Sequence, residues 1–117
     1  MRTIIAGGRD FLDYEFLSEK VSLHKESISE VVSGAARGAD SLGELFAKEN
    51  NIPVKQFPAD WNAHGRAAGP IRNRQMAEYA DVLIAFWDGK SPGTKNMIET
   101  MLKKGKIVKV YMTGGIK

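Results

Sequence analysis

The sequence predicts a three-layer α/β domain, with five parallel strands in the order 3-2-1-4-5 and helices on both faces. Three observations carry this. Short apolar runs alternate with segments of helical periodicity from Thr3 to Tyr111. The runs are nearly continuous in apolar residues rather than alternating, as in strands covered on both sides. Glycine-rich turns follow the first, second and fourth runs. A chain of 117 residues is expected to form a single domain over 1–117.

Taken in order, Thr3-Ile4-Ile5-Ala6 is the first strand, stopped by Gly7-Gly8. Asp13 caps a helix whose apolar face carries Tyr14, Leu17, Val21 and His24. His24 on such a face reads as a satisfied boundary histidine. Glu30 to Ser33 is the second strand, and Leu42, Leu45 and Phe46 form the buried face of the next helix, which ends near Asn50-Asn51. Ile52 to Phe57 is the third strand, with Pro53 near its start and Pro58 closing it. Gly69-Pro70 then opens a helix carrying Met76, Tyr79 and Ala80. Asp81 to Trp87 is the longest apolar run and is expected to be central. The last helix carries Met97, Ile98, Met101 and Leu102 and stops at Lys103-Lys104-Gly105. Lys106 to Tyr111 is the fifth strand, before a short polar tail.

The bulk numbers exclude several classes. Hydrophobic residues at 43% and charged residues at 26% are ordinary globular values. A net charge of +3 is too small to mark a nucleic-acid coat by itself. Cysteine is absent, which removes disulfides, thiolate metal sites and a cysteine nucleophile. No residue pattern asks for a metal or a required cofactor. The N-terminal apolar run is too short for a signal peptide and no stretch approaches a membrane span, so a cytoplasmic protein is expected.

Function is concentrated in the turns. The stretch Trp61 to Gln75 brings Arg66, Arg72 and Arg74 to a helix start with no carboxylate among them. A first turn carries about half a positive charge and disfavours cations by roughly 0.3–1 kcal/mol each, so a bound anion is the economical compensation. Arginine forks suit a phosphate. Gly34 to Ser41 is small and bare enough for a phosphate to reach backbone N–H groups, with Arg37 as a clamp and Gly38 in the turn. It lacks the Lys-Ser/Thr of a Walker loop, and Gly7-Gly8-Arg9-Asp10 lacks the spacing of the dinucleotide fingerprint. Arg9, at the end of the first strand, reads either as a ligand contact or as one half of a surface ion pair. Asp40 reads as a first-turn carboxylate or as an acceptor for a ribose hydroxyl. Trp61 either stacks on a base or plugs a loop, and His64, set in a loop of glycines and arginines, contacts ligand, works as an acid–base group or is solvated. Gly93-Thr94 at the last helix start offers donors to a second phosphate or ribose, or is an ordinary cap. The strand order reverses between strands one and four, where open sheets bind ligands, so these turns are expected to converge there.

Gly34-Ala35-Ala36-Arg37-Gly38-Ala39-Asp40, Phe57-Pro58-Ala59-Asp60-Trp61 with His64-Gly65-Arg66-Ala67-Ala68-Gly69-Pro70-Ile71-Arg72-Asn73, and Ala85-Phe86-Trp87-Asp88-Gly89-Lys90-Ser91 before Gly93-Thr94 together resemble the YspA/YpsA-related branch of the SLOG superfamily. The resemblance runs over nearly the whole chain and is to proteins widespread in bacteria and phages. It implies a Rossmann-like sheet and a role in binding or processing a nucleotide or nucleotide derivative. The superfamily also contains LOG-type phosphoribohydrolases and DprA-like binders of single-stranded DNA. The LOG-type motif Pro-Gly-Gly-x-Gly-Thr-x-Glu-Glu departs here, because Asn96 and Met97 stand at its acidic positions. Glu99, two residues on, is rotated about 200° around a helix.

The leading expectation is therefore a nucleotide sensor or carrier. Its binding set is Gly7, Gly8, Arg9, Gly34, Arg37, Gly38, Asp40, Arg66, Gly69, Arg72, Asn73, Arg74, Gly93 and Thr94, with Asp40 or Asp88 for ribose. One alternative is hydrolysis of the N-glycosidic bond of a nucleoside monophosphate, with His64 or Asp88 as the acid–base group. Another is DprA-like binding of single-stranded DNA, which needs a longer basic groove. Because SLOG relatives often pair, a homodimer through the exposed part of the last helices is also expected.

Overall fold

The computed structural model describes residues 1–113; the polar tail at 114–117 lies outside them. Five strands, β1 (Arg2–Gly7), β2 (Glu30–Ser33), β3 (Val54–Gln56), β4 (Val82–Trp87) and β5 (Ile107–Met112), form one parallel sheet in the order β3-β2-β1-β4-β5. The helices are α1 (Tyr14–Ser22), α2 (Ala39–Glu49), α3 (Trp61–His64), α4 (Ala68–Tyr79) and α5 (Pro92–Lys103), with 3₁₀ turns at Lys25–Ser27 and Gly65–Ala67.

Strand alternation sorts the core into two layers. Ile4, Ala6, Leu83 and Ala85 face α4 and α5, where Met76, Ala77, Met97 and Met101 meet them. Ile5, Val82, Ile84 and Phe86 face α1 and α2 and are covered by Leu17, Val21, Phe46 and Ala47. Each of the larger side chains gains about 1.5–3 kcal/mol from full burial, which is why a sheet only four to six residues deep in its central strands holds.

Several expected positions shift. His24 lies beyond the end of α1, and its Nε2 pairs with the Tyr111 hydroxyl at 2.9 Å rather than lining a helix face. Leu45 and Leu102 are exposed, at 38% and 59%. The buried face of α2 is instead Ala39, Asp40, Gly43, Phe46 and Ala47, because a Cβ at Gly43 would lie 2.8 Å from Ile5. The third strand is shorter than 52–57, although backbone bonds from Val31 N–H to Pro53 and from Phe57 N–H to Ser33 extend its pairing at both ends. Gly69-Pro70 does not open a helix from a bare loop. Asp60 caps α3 by accepting from Ala63 N–H at 3.0 Å, and the 3₁₀ turn that follows feeds directly into α4 at Ala68. His64 is accordingly helical and exposed.

The C-terminus of α4 is closed by a side chain from elsewhere in the chain. Lys106 Nζ donates to the carbonyls of Ala77, Glu78 and Ala80 at 2.6, 3.2 and 2.7 Å. All three ammonium protons are thus spent on orphan carbonyls at the negative end of the helix dipole. Lys106→Met is expected to lower stability by about 1–3 kcal/mol, read as a lower urea midpoint with an unchanged denaturant slope.

Candidate functional site

A cleft of about 560 Å³ opens outside the carboxyl ends of β1 and β4, at the point where the strand order reverses. Its walls come from the turn after β1, the start of α2, α3 with the front of α4, and the first turn of α5. Of the residues expected in a site, Gly7, Gly8, Arg9, Asp40, Arg66, Gly69, Arg72, Asn73, Gly93 and Thr94 line it. Trp61 lines it too, 51% exposed rather than buried beneath a loop.

Gly34, Arg37, Gly38 and Arg74 are not part of the wall. Arg37 is exposed and sits 3.7 Å from Asp10, and Arg74 faces solvent. The two glycines are demanded by the protein itself. Gly38 has φ +80°, and a Cβ there would strike the backbone of Gly8 and Arg9. A Cβ at Gly34 would lie 2.5 Å from Arg72 Nη1 and 2.7 Å from Asp40 Oδ2. The bare loop between β2 and α2 therefore accommodates side chains of this chain. The helix start is partly occupied as well, since Ala39 N–H donates to the Gly8 carbonyl at 3.2 Å, and in the loop ahead of it the Asp40 carboxylate accepts from Ala36 N–H at 3.3 Å.

Arg72 works mainly as a strut. Nη1 donates to the Gly34 carbonyl at 2.5 Å and Nε to Asn73 Oδ1 at 3.0 Å. Asn73 in turn donates to the Gly93 carbonyl at 3.3 Å and to Asn96 Oδ1 at 2.9 Å. One chain of hydrogen bonds thus ties the β2–α2 turn, α4 and the start of α5 together. Asp40, 7% exposed, closes the same corner. Burial pushes its carboxyl up to about 6 from an ordinary 3.8, against the pull of Ala36 N–H and the Arg72 charge. Burial likewise lowers the Arg72 guanidinium, with Asp40 opposing the change.

The N-terminus of α5, like that of α2, has no side-chain cap: Ser91 Oγ donates to Asp88 Oδ2 at 3.1 Å instead. The first intrahelical bond is from Lys95 N–H to Ser91, leaving the N–H groups of Gly93 and Thr94 ahead of the ladder. Among the described residues no atom outside the helix's own adjoining backbone and the neighbours of Gly93 stands within 4 Å of where a Cβ on Gly93 would be, and Thr94 is 5% exposed at the cleft wall. The turn before it is rigid: Asp88 accepts from Lys90 and Ser91 N–H, both at 2.8 Å, and Trp87 Nε1 donates to the Ser91 carbonyl at 3.1 Å.

Those bonds hold the Asp88 carboxyl below its ordinary pKa, the opposite of what a general acid needs. Neither Asp88 nor His64 lines the cleft. Asn96 and Met97 do line it, so the positions where the LOG-type motif carries its acids face inward with an amide and a thioether, while Glu99 is exposed on α5 outside the wall. Asp10, Ser91 and Asn96 are the polar wall residues that sequence reasoning did not select. For Asn96 the available signal was its helical offset of three residues from Gly93.

A sheet of this order with its cleft at the switch point is a Rossmann-like α/β domain. The family model described as the YspA, cpYpsA-related SLOG family matches residues 1–64. Gene 61 protein of Mycobacterium phage D29 is 34% identical over 113 residues, covering 89% of this chain and 90% of that protein. The chain belongs to the YspA/cpYpsA-related SLOG family. Its fold is also similar to the X-ray structure of DNA processing protein A (DprA) from Streptococcus pneumoniae, with a TM-score of 0.79 and 18% identity over 97% of this chain. That alignment spans half of the DprA chain. No helix among the described residues is long and apolar enough to cross a membrane.

The division between strut and free cation is measurable. Arg72→Ala is expected to cost about 2–4 kcal/mol, since it strands the Gly34 carbonyl and leaves Asp40 without its cation. Arg66→Ala, at an exposed position, is expected to stay within about 0.5 kcal/mol of the parent. Carbon-13 NMR of the Asp40 carboxyl is expected to give a midpoint of about 6. The folded pKa exceeds the unfolded one, so this group's stabilising contribution is complete below the ordinary 3.8 and is lost as pH rises through about 6. Asp40→Asn is expected to remove that part of the pH dependence in urea titrations run from pH 4 to 7.

Proposed function

We propose that the chain binds a phosphorylated ribonucleotide or a derivative of one, as a sensor or carrier, with the anion at the N-terminus of α5. The uncapped first turn of α5, opening on a cleft that also contains Arg9 and Arg66, is the observation that carries this reading. Two backbone N–H groups and the positive end of a 12-residue helix favour an anion, and a guanidinium opposite adds charge-assisted bonds. At the start of α2 the Gly8 carbonyl already takes the Ala39 N–H, and the Asp40 carboxylate fills the loop ahead of it by accepting from Ala36 N–H, which supports one phosphate subsite instead of two. Buried Asp40 is held for the scaffold, so Asn96 and Ser91 become the ribose-facing polar groups beside the anion.

The cleft volume suits one small ligand and is short for a strand, so a mononucleotide is favoured over a DNA-binding role of the kind the name DNA processing protein A suggests. The acid positions filled by Asn96 and Met97 favour binding over cleavage of the glycosidic bond.

Isothermal titration with AMP, ribose 5-phosphate and an oligothymidylate tests these readings together. The expected result is saturable binding of AMP, weakened about tenfold or more by Arg66→Ala with the melting temperature of the free protein unchanged. Binding of the oligonucleotide alone, with a steep salt dependence, overturns the mononucleotide reading. Free adenine appearing on incubation with AMP overturns the carrier reading in favour of a hydrolase.

A further inference from the structure

Trp61 is the large aromatic side chain that the cleft leaves half in solvent, at 51% exposed. Leaving an indole in water forfeits much of what its burial would contribute. Its backbone is held in place regardless. Asp60 caps the first turn of α3 through Ala63 N–H, and His64 N–H donates to the Asp60 carbonyl at 3.0 Å. The ring rests near Gly69, where a Cβ would come to an ordinary 3.7 Å.

Over this ring stands the Arg9 guanidinium, with its central carbon 5.9 Å from the ring centroid. That separation is at the outer limit of a cation–π contact, about 6 Å. It is also about 1 Å short of the space needed to seat a flat aromatic ring between two planes at van der Waals distance, about 3.5 Å on each side. Arg9 is exposed at the end of β1 and has the freedom to give that ångström. Both groups belong to the same cleft wall as Gly93 and Thr94.

We infer that Trp61 and Arg9 form a platform for an aromatic base, which inserts between the indole and the guanidinium while the phosphate rests on α5. This rests on the anion reading of the preceding subsection and adds what distinguishes a nucleotide from a bare sugar phosphate. Stacking on an indole is available to every base because every base has a π face. The guanidinium contributes a second planar surface and a charge. No hydrogen bond to a base edge is invoked, so the platform selects for the presence of a base and only weakly among bases.

The test compares AMP, GMP, CMP and UMP with ribose 5-phosphate, in the parent and in Trp61→Ala, Trp61→Phe and Arg9→Ala, by titration calorimetry and tryptophan emission. The expected result is that the nucleotides bind the parent roughly tenfold or more tightly than ribose 5-phosphate and quench its emission, whereas ribose 5-phosphate does not quench. Trp61→Ala is expected to bring the nucleotides to the level of ribose 5-phosphate, whose own affinity stays unchanged. Trp61→Phe is expected to retain most of the preference, and Arg9→Ala to lose part of it. Equal affinity of the parent for AMP and ribose 5-phosphate overturns the platform and leaves the anion site standing. So does a Trp61→Ala that weakens both alike while circular dichroism shows it folded. If none of the five ligands binds the parent, the anion site itself is wrong and the platform falls with it.

Discussion

The parallel pairing of β1 with β4 is the constraint on which the rest of the molecule depends. It aligns Thr3 with Val82 and continues in register to Gly7 with Phe86. With β2 on the other side of β1, the chain must leave adjacent strands toward opposite faces of the sheet, and a crevice is left between the departing turns. The pairing is close at its end, because a Cβ on Gly7 would meet the Phe86 backbone and lie 2.9 Å from Ala39 Cβ. A small residue there lets the starts of α2 and α5 approach the same space.

Within that crevice, cations and donors divide their labour. Arg72, Asn73 and Asp40 are consumed in joining three segments into one wall. Arg9, Arg66, Trp61 and the first turn of α5 are left facing the cleft. A buried carboxylate beside a guanidinium is costly to desolvate, and Asp40 reflects this in its raised pKa. Such a cost is tolerable where it fixes the geometry of groups that must not move. Membership of the SLOG family, reached through a relative at 34% identity and a family model over the first 64 residues, fits a scaffold of this kind. The α4 arginines and the α5 turn lie beyond the residues that the family model matches, 1–64.

The sequence by itself determined the sheet order, the assignment of turns to one end, and most of the cleft wall. Apolar runs too continuous for a half-exposed sheet, separated by helical periodicity, leave little other topology. Tertiary structure alone decided which glycines serve the protein and which leave room for a ligand. Gly34 and Gly38 look as permissive in sequence as Gly93, yet the first two are filled by Arg72, Asp40 and the Gly8–Arg9 backbone. Tertiary structure also decided that Arg72 is a strut, that Arg74 points to water, and that Asp88 and His64 stand outside the cleft. The physical reason is common to all of these. Local pattern fixes the period and the ends of an element, whereas the partner of a charged or bare position is supplied by a segment tens of residues away, as Gly34 is for Arg72 and Gly8 is for Gly38.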